Sequence, residues 1–225
     1  MKEYAIIVAG GNGSRMQSKT PKQFLLLSNK PVLMHTIEAF QTYSRDLSII
    51  LVLRAESIST WNDLCKKYEF TISVTTVNGG NSRSQSVKNG LDVIETAESL
   101  VAIHDGVRPL VRPEIINASF RLAQIHGCAV ASTRLKESLR LVDKDMTKSI
   151  DRSKYRSIQT PQTFQTKLIK SAYSGLEDND AFTDDASVAE KSGLKISLFE
   201  GSYENIKITT KEDLLFAEAL LKNKK

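Results

Sequence analysis

Cysteine and histidine are scarce in this sequence: two of the first, Cys65 and Cys128, and three of the second, His35, His104 and His126, among 225 residues. The cysteines form no CxxC pair and the histidines no cluster, so neither a disulfide framework nor a zinc centre is expected, and both thiols read as free and buried. Aromatic residues make up only 7% of the chain, with a single tryptophan, Trp61. That leaves little for base stacking, and no RRM, KH or helix-turn-helix signature is present, which argues against a nucleic-acid binder. No apolar run approaches the roughly 18 residues needed to cross a bilayer, and the N-terminal run meets Gly10 and Gly11 before a signal-peptide core can form. The expectation is a cytoplasmic protein with neither a membrane nor a nucleic-acid partner.

The composition that remains is ordinary in amount and informative in order. With 40% hydrophobic and 25% charged residues the chain has the composition of a folded globular protein, long enough for one large domain or two small ones and in either case for a sizeable core. Short β-branched runs alternate with stretches of helical period. Strands are predicted at residues 4–8, 47–53, 72–77, 100–104 and 128–132, and helices at 31–43, 57–68, 82–95 and 113–126, the last opening on a proline that suits a first turn. This rhythm predicts an α/β fold with a mainly parallel sheet and ligands beyond the carboxyl ends of its strands. It breaks at residues 133–157, a densely charged stretch whose Leu139/Leu141 alternation beside Asp143-Lys144-Asp145 suggests a hairpin with a polar turn. A lone hairpin is marginal in water, so this arm, at about 134–157, either docks on a second subunit or is a loose surface insertion. Beyond it a helix from about 166, a helix at 184–191, a strand at 195–200 and a helix from 211 are expected.

Chemistry gathers at three places. Ala9-Gly10-Gly11-Asn12-Gly13-Ser14-Arg15-Met16 comes directly after the first strand, where glycines let backbone N–H groups approach an anion. Met16 breaks the dinucleotide fingerprint, and the Gly-Lys-Ser/Thr of a P-loop is absent. The turn leads instead into cations, Arg15, Lys19 and Lys22, which suit a phosphate. The second place is His104-Asp105-Gly106-Val107-Arg108-Pro109 at a strand end. There a lone carboxylate can share Mg²⁺ with triphosphate oxygens and water, or Asp105 and Arg108 can simply brace a turn. The third is Asn205-Ile206-Lys207-Ile208-Thr209-Thr210, where a strand-like alternation turns Lys207 away from its isoleucines and Thr209 or Thr210 can cap the next helix. Gly79-Gly80-Asn81-Ser82-Arg83-Ser84-Gln85-Ser86 offers backbone and hydroxyl groups at another strand-to-helix junction.

Together these motifs resemble one family, the 2-C-methyl-D-erythritol 4-phosphate cytidylyltransferases (4-diphosphocytidyl-2-C-methyl-D-erythritol synthases). The resemblance runs over essentially the whole chain and includes Pro21-Lys22-Gln23, Asp151-Arg152, Thr160-Pro161-Gln162 and Thr183-Asp184-Asp185-Ala186-Ser187. It implies a single domain, residues 1–225, of Rossmann-like nucleotidyltransferase fold with helices on both faces of the sheet, a homodimer joined through the hairpin arm, and Mg²⁺-dependent transfer of CMP from CTP to 2-C-methyl-D-erythritol 4-phosphate. Carried over by position, it implies Arg15, Lys22 and Lys207 as the catalytic cations and Asp105 as the metal ligand. Ala9, Gly10, Gly11, Gly13, Gly80, Asn81, Ser86, Asp105 and Gly106 would bind CTP. Arg108, Ser138, Arg152, Thr160, Thr183 and Thr209 would line the acceptor side, with Arg152 reaching across the dimer.

Two departures from the family pattern are visible. Asn81 stands where an acidic residue is common, and 132–138 differs from the usual run, so Ser138 takes the place of the arm's hydroxyl. A ribitol 5-phosphate cytidylyltransferase shares much of the pattern, but Asp151-Arg152 and 183–187 favour the methylerythritol enzyme. A nucleotide-sugar glycosyltransferase would use Asp-x-Asp at a core strand end, whereas Asp143-Lys144-Asp145 falls in the hairpin turn. The formal charge of +5 needs no polyanion partner. Lys222, Lys224 and Lys225 crowd the last positions, and the cations that matter are Arg15, Lys22, Arg108, Arg152 and Lys207.

Overall fold

Buried, β-branched segments build the centre of the molecule in a computed structural model that describes residues 1–11, 20–176 and 182–223. The chain runs through β1 (Lys2–Val8), a small ladder of β2 (Leu26–Leu27) and β3 (Lys30–Pro31), α1 (Val32–Tyr43), β4 (Ser48–Leu53), α2 (Ala55–Lys67) and β5 (Thr75–Asn78). Next are α3 (Arg83–Asp92), β6 (Ser99–Asp105), α4 (Pro113–His126), β7 (Cys128–Arg134) and the hairpin β8 (Leu139–Asp143) and β9 (Met146–Ile150). Last come β10 (Arg156–Gln165), α5 (Thr166–Ser174), α6 (Asp185–Lys191), β11 (Leu198–Glu200) and α7 (Lys211–Lys222).

Seven strands form one sheet in the order β11-β7-β10-β6-β1-β4-β5. All run parallel except β10, which lies antiparallel between β6 and β7. Every residue of β6 is buried, as a strand covered on both faces requires. On one face Ala5, Ile7 and Leu51 pack with Phe40, Trp61 and Phe120 from α1, α2 and α4. On the other, Ile6, Val52 and Ile103 pack with Val87, Ile169 and Val188 from α3, α5 and α6. The mainly parallel sheet with helices on both faces is thus as expected. Helix α4 begins on Pro113 and ends at Gly127, whose φ of 84° no branched residue would adopt readily. Among the described residues no helix is long and apolar enough to cross a membrane.

Several elements differ from the sequence-based expectation. The strand predicted over 72–77 is reduced to Thr75–Asn78, while Ile72 and Val74 pack half-buried against the core outside any ladder. Helix α3 stops at Asp92 instead of 95, and the strand expected at 195–200 is Leu198–Glu200. The largest surprise is β10, which carries no strand signal in its residues. Pro161 sits inside it, and the ladder to β7 accommodates this by a register shift between Ile158 and Gln162, where no N–H is demanded of the proline. The hairpin pairs Leu139 with Ile150 through to Asp143 with Met146. Asp143 ends β8 and Asp145 lies in the exposed turn that follows, so the pair sits at the hairpin tip instead of at a core strand end.

Candidate active site

The cleft lies where the strands of the sheet's centre end. Beyond β1 the backbone continues in step with its neighbours, since Ala9 N donates to Val52 O and Gly106 N to Val8 O, both at 2.9 Å. Two side chains then tie back the carbonyls of the turn: Gln23 Nε2 donates to Ala9 O at 2.9 Å and Arg54 Nε to Gly10 O at 3.0 Å. On the facing side Ser82 caps α3 by accepting from Gln85 N, and Ser86 Oγ accepts from Gly80 N at 3.0 Å. A side chain at position 80 would have to occupy the place of Gln85, whose Cγ lies 2.0 Å from where a Cβ would stand.

Between these walls is a cavity of about 320 Å³. Ala9, Gly10, Gly11 and Lys22 line it from the glycine turn; Gly80, Asn81 and Ser86 line it from the start of α3; Asp105 and Lys207 complete it. A second cavity of about 210 Å³ adjoins it, lined by Arg108, Thr160 and Thr183 together with Gln159, Gln162 and Asp184. Arg83, Asp105 and Lys207 line both.

The remaining expected residues are placed elsewhere. Gly106 is packed inside, with Ala9 Cβ and Leu33 Cδ1 each 3.0 Å from where its own Cβ would stand. Thr209 donates its hydroxyl to Asp213 Oδ2 at 2.7 Å and faces neither cavity; the cap of α7 is Thr210, in a reciprocal box with Asp213. The 205–209 run is not a strand, yet Ile206 and Ile208 do pack inward opposite Lys207. Arg152 lies in a separate cavity with Arg134 and Arg156, and Ser138 is exposed ahead of β8. Gly13 and Arg15 fall outside the described residues.

Charge is concentrated at the shared wall. Asp105 Oδ2 accepts from Lys207 Nζ at 3.0 Å and Arg108 Nε at 3.1 Å. Burial alone would push this carboxyl up, but Lys207, Arg108 and Arg83 outweigh it and hold it well below the usual carboxylate range. Behind it His104 is fully buried, T-shaped to Phe40 with ring centroids 4.9 Å apart, and desolvation pushes its pKa down to about 3. Arg108 O can only accept, so the neutral ring carries its proton on Nε2, 3.3 Å away, and Nδ1 accepts at 3.0 Å from the Thr160 hydroxyl, which itself accepts from Asp105 N at 3.1 Å. His104 is therefore a neutral brace behind Asp105, with no route to act as a base in the cleft.

Among the described residues no three His, Cys, Asp or Glu side chains gather into a metal cluster. Asp105 fits a hard divalent cation as a single ionised oxygen donor, with the other ligands left to phosphate and water. Sequence reasoning assigned no role to Gln162, which joins β10 to the start of α6: Gln162 Oε1 accepts from Asp185 N and Ala186 N at 3.0 and 2.8 Å. Recognising it required β10, the strand that the sequence concealed.

The sequence model of the family described as 2-C-methyl-D-erythritol 4-phosphate cytidylyltransferase matches residues 4–223. The protein of that name from Bacteroides thetaiotaomicron is 47% identical over 221 residues, covering 98% of this chain and 100% of its own. The one from Clostridium acetobutylicum is 41% identical over 223 residues, 97% and 96% of the two chains. Among solved structures, 4-diphosphocytidyl-2C-methyl-D-erythritol synthase from Anaerococcus prevotii superposes with a TM-score of 0.85 at 30% identity, over 98% of this chain and 96% of that one.

Proposed function

Since the chain belongs to the 2-C-methyl-D-erythritol 4-phosphate cytidylyltransferase family, we propose that it transfers CMP from CTP to 2-C-methyl-D-erythritol 4-phosphate, releasing pyrophosphate, in isoprenoid precursor biosynthesis. One observation supports this reading above the others: two cavities of unequal size share a wall made of Asp105, Lys207 and Arg83. The larger takes CTP, with Ala9, Gly10, Gly11, Gly80, Asn81 and Ser86 around the base and ribose, and Lys22 with Arg15 on the triphosphate. The smaller takes the acceptor phosphate on Arg108, Thr160 and Thr183.

In this reading a phosphate oxygen of the acceptor attacks the α-phosphorus of CTP. A P–O bond forms there, the bond to the β-phosphate oxygen breaks, and pyrophosphate leaves with the electron pair. The attacking oxygen is already anionic, so no side chain has to accept a proton, which accords with a cleft whose histidine is buried and neutral. What the residues supply is position and positive charge, Lys207 facing the α-phosphate from beside Asp105. Mg²⁺ held by Asp105 together with the nucleotide would supply further neutralisation of the triphosphate. Arg152 and Ser138 lie outside the cleft of their own chain, and in this reading they serve the acceptor site of a partner copy, joined through the hairpin.

The test is pyrophosphate release from CTP with a panel of polyol phosphates. Turnover is expected with 2-C-methyl-D-erythritol 4-phosphate. Activity confined to ribitol 5-phosphate would overturn the acceptor, and equal use of ATP or UTP would overturn the nucleotide.

A further inference from the structure

Of the three residues common to both cavities, Arg83 alone has no part in the transfer as derived from Asp105 and Lys207. It is the first residue of α3, and its guanidinium grips Asp185 at the start of α6 with both arms, Nη1 to Oδ1 at 2.9 Å and Nη2 to Oδ2. Asp185 is fully buried, and its Oδ1 also accepts the Tyr173 hydroxyl at 2.6 Å. A planar fork clamped in this way has a fixed orientation. The clamp uses two of a guanidinium's five N–H donors. An arginine needed only to neutralise Asp185 would be sealed in with it. This one keeps 24% of its side chain exposed, on the walls of both cavities. Its charge also acts on Asp105, the centre of the shared wall.

We propose that Arg83 is a phosphate-binding residue at the junction of the two cavities, with Asp185 and Tyr173 as the positioning residues that aim it. The inference rests on the cytidylyltransferase reading of the cleft. Phosphate reaches that junction from two sources, the α-phosphate of the nucleotide and the phosphomonoester of the acceptor, and Arg83 lies where the two meet. It adds to Lys207 a planar donor that can hold two oxygens of one phosphate.

Removing Arg83 alone would strand a fully buried carboxylate, so the informative variant combines Arg83→Met with Asp185→Asn, beside Arg83→Lys. Thermal unfolding checks the fold, titration calorimetry measures CTP and 2-C-methyl-D-erythritol 4-phosphate separately, and steady-state kinetics gives kcat and KM for each. Loss of a charged hydrogen bond predicts about a tenfold or greater fall in kcat/KM at a retained melting temperature. A weaker Kd for CTP alone identifies the nucleotide as the source, and a weaker Kd for the acceptor alone identifies the acceptor. Arg83→Lys should recover part of kcat, because it restores the charge without the fork. Unchanged binding and turnover in the folded double variant would reduce the pair to a structural brace and overturn the inference. If the double variant does not fold, Arg83→Lys decides, since it keeps Asp185 neutralised: wild-type kcat/KM for both substrates overturns the proposal. CTP titration needs no acceptor, so it reports on Arg83 even if the acceptor assignment fails.

Discussion

Lys207 owes its aim to the two isoleucines beside it. Ile208 is fully buried with Val107 and Ala217, its N–H donates to Val107 O at 2.9 Å, and Ile206 packs on the same small core. The lysine is left pointing the other way, 3.0 Å from Asp105. Because the isoleucines anchor the segment and Arg108 still pairs with Asp105, Lys207→Ala should fold, with a melting temperature lowered only by the loss of one of that carboxylate's two partners. Its turnover should fall about a hundredfold, the effect of deleting one preorganised donor at a developing charge. Pyrophosphate release by the folded variant measures this, and near-normal turnover would remove Lys207 from the reaction. At this scale the site was partly legible. Asp105 and Arg108 lie three residues apart, and the alternation around Lys207 announces a side chain facing away from its neighbours. The Arg83–Asp185 clamp was not legible, because its partners are 102 residues apart and meet only through the packing of α3 on α5 and of α5 on α6.

Elements differ in how openly they declare themselves. Strands β1, β4 and β6 and helix α4 were readable because burial on both faces, or on one stripe, imposes a period on the sequence. Strand β10 was not, because its buried residues include Thr160, Gln162 and Thr163, whose polar groups go into the hydrogen bonds of the cleft and of α4, such as Thr163 Oγ1 to Ser119 Oγ at 2.8 Å. A strand that carries the site's polar network cannot also carry a hydrophobic signature. The hairpin has the opposite character. By the pairing register Leu141 and Met146 share one face of the hairpin, 58% and 74% exposed, and Val142 stands on the other, 67% exposed, apolar side chains open to a second copy of the chain. For the dimer proposed above, Leu141→Asp combined with Met146→Asp is expected to give a monomer with an unchanged circular dichroism spectrum, as sedimentation equilibrium would report. A variant that sediments like the wild type would detach the hairpin from assembly.

For the whole molecule, the buried imidazole sets an acid limit. His104 is held neutral to about pH 3, whereas in the unfolded chain it takes up a proton below its ordinary value near 6.5. The unfolded state thus binds more protons between those limits, and stability falls as pH drops from about 6.5 toward 3. His35, also depressed by burial, acts in the same direction. Asp105, held ionised in the fold, adds a further loss once the pH falls below about 3.9, the ordinary range of an unfolded aspartate. His104 alone predicts a loss of about 2 kcal/mol between pH 7 and pH 5, readable from urea unfolding at the two values. Equal stability at both would mean that His104 is not held neutral. The place of β10 has a consequence of another kind, for synthesis. Strand β6 is completed at Asp105, yet its antiparallel neighbour spans Arg156–Gln165. A growing chain that folds from its N-terminus therefore carries an open apolar edge, Leu100 to Ile103, until about sixty more residues have emerged. That interval is when a nascent copy is most exposed to pairing with another strand, and Lys207 emerges later still, so the protein is vulnerable to aggregation before it can be active.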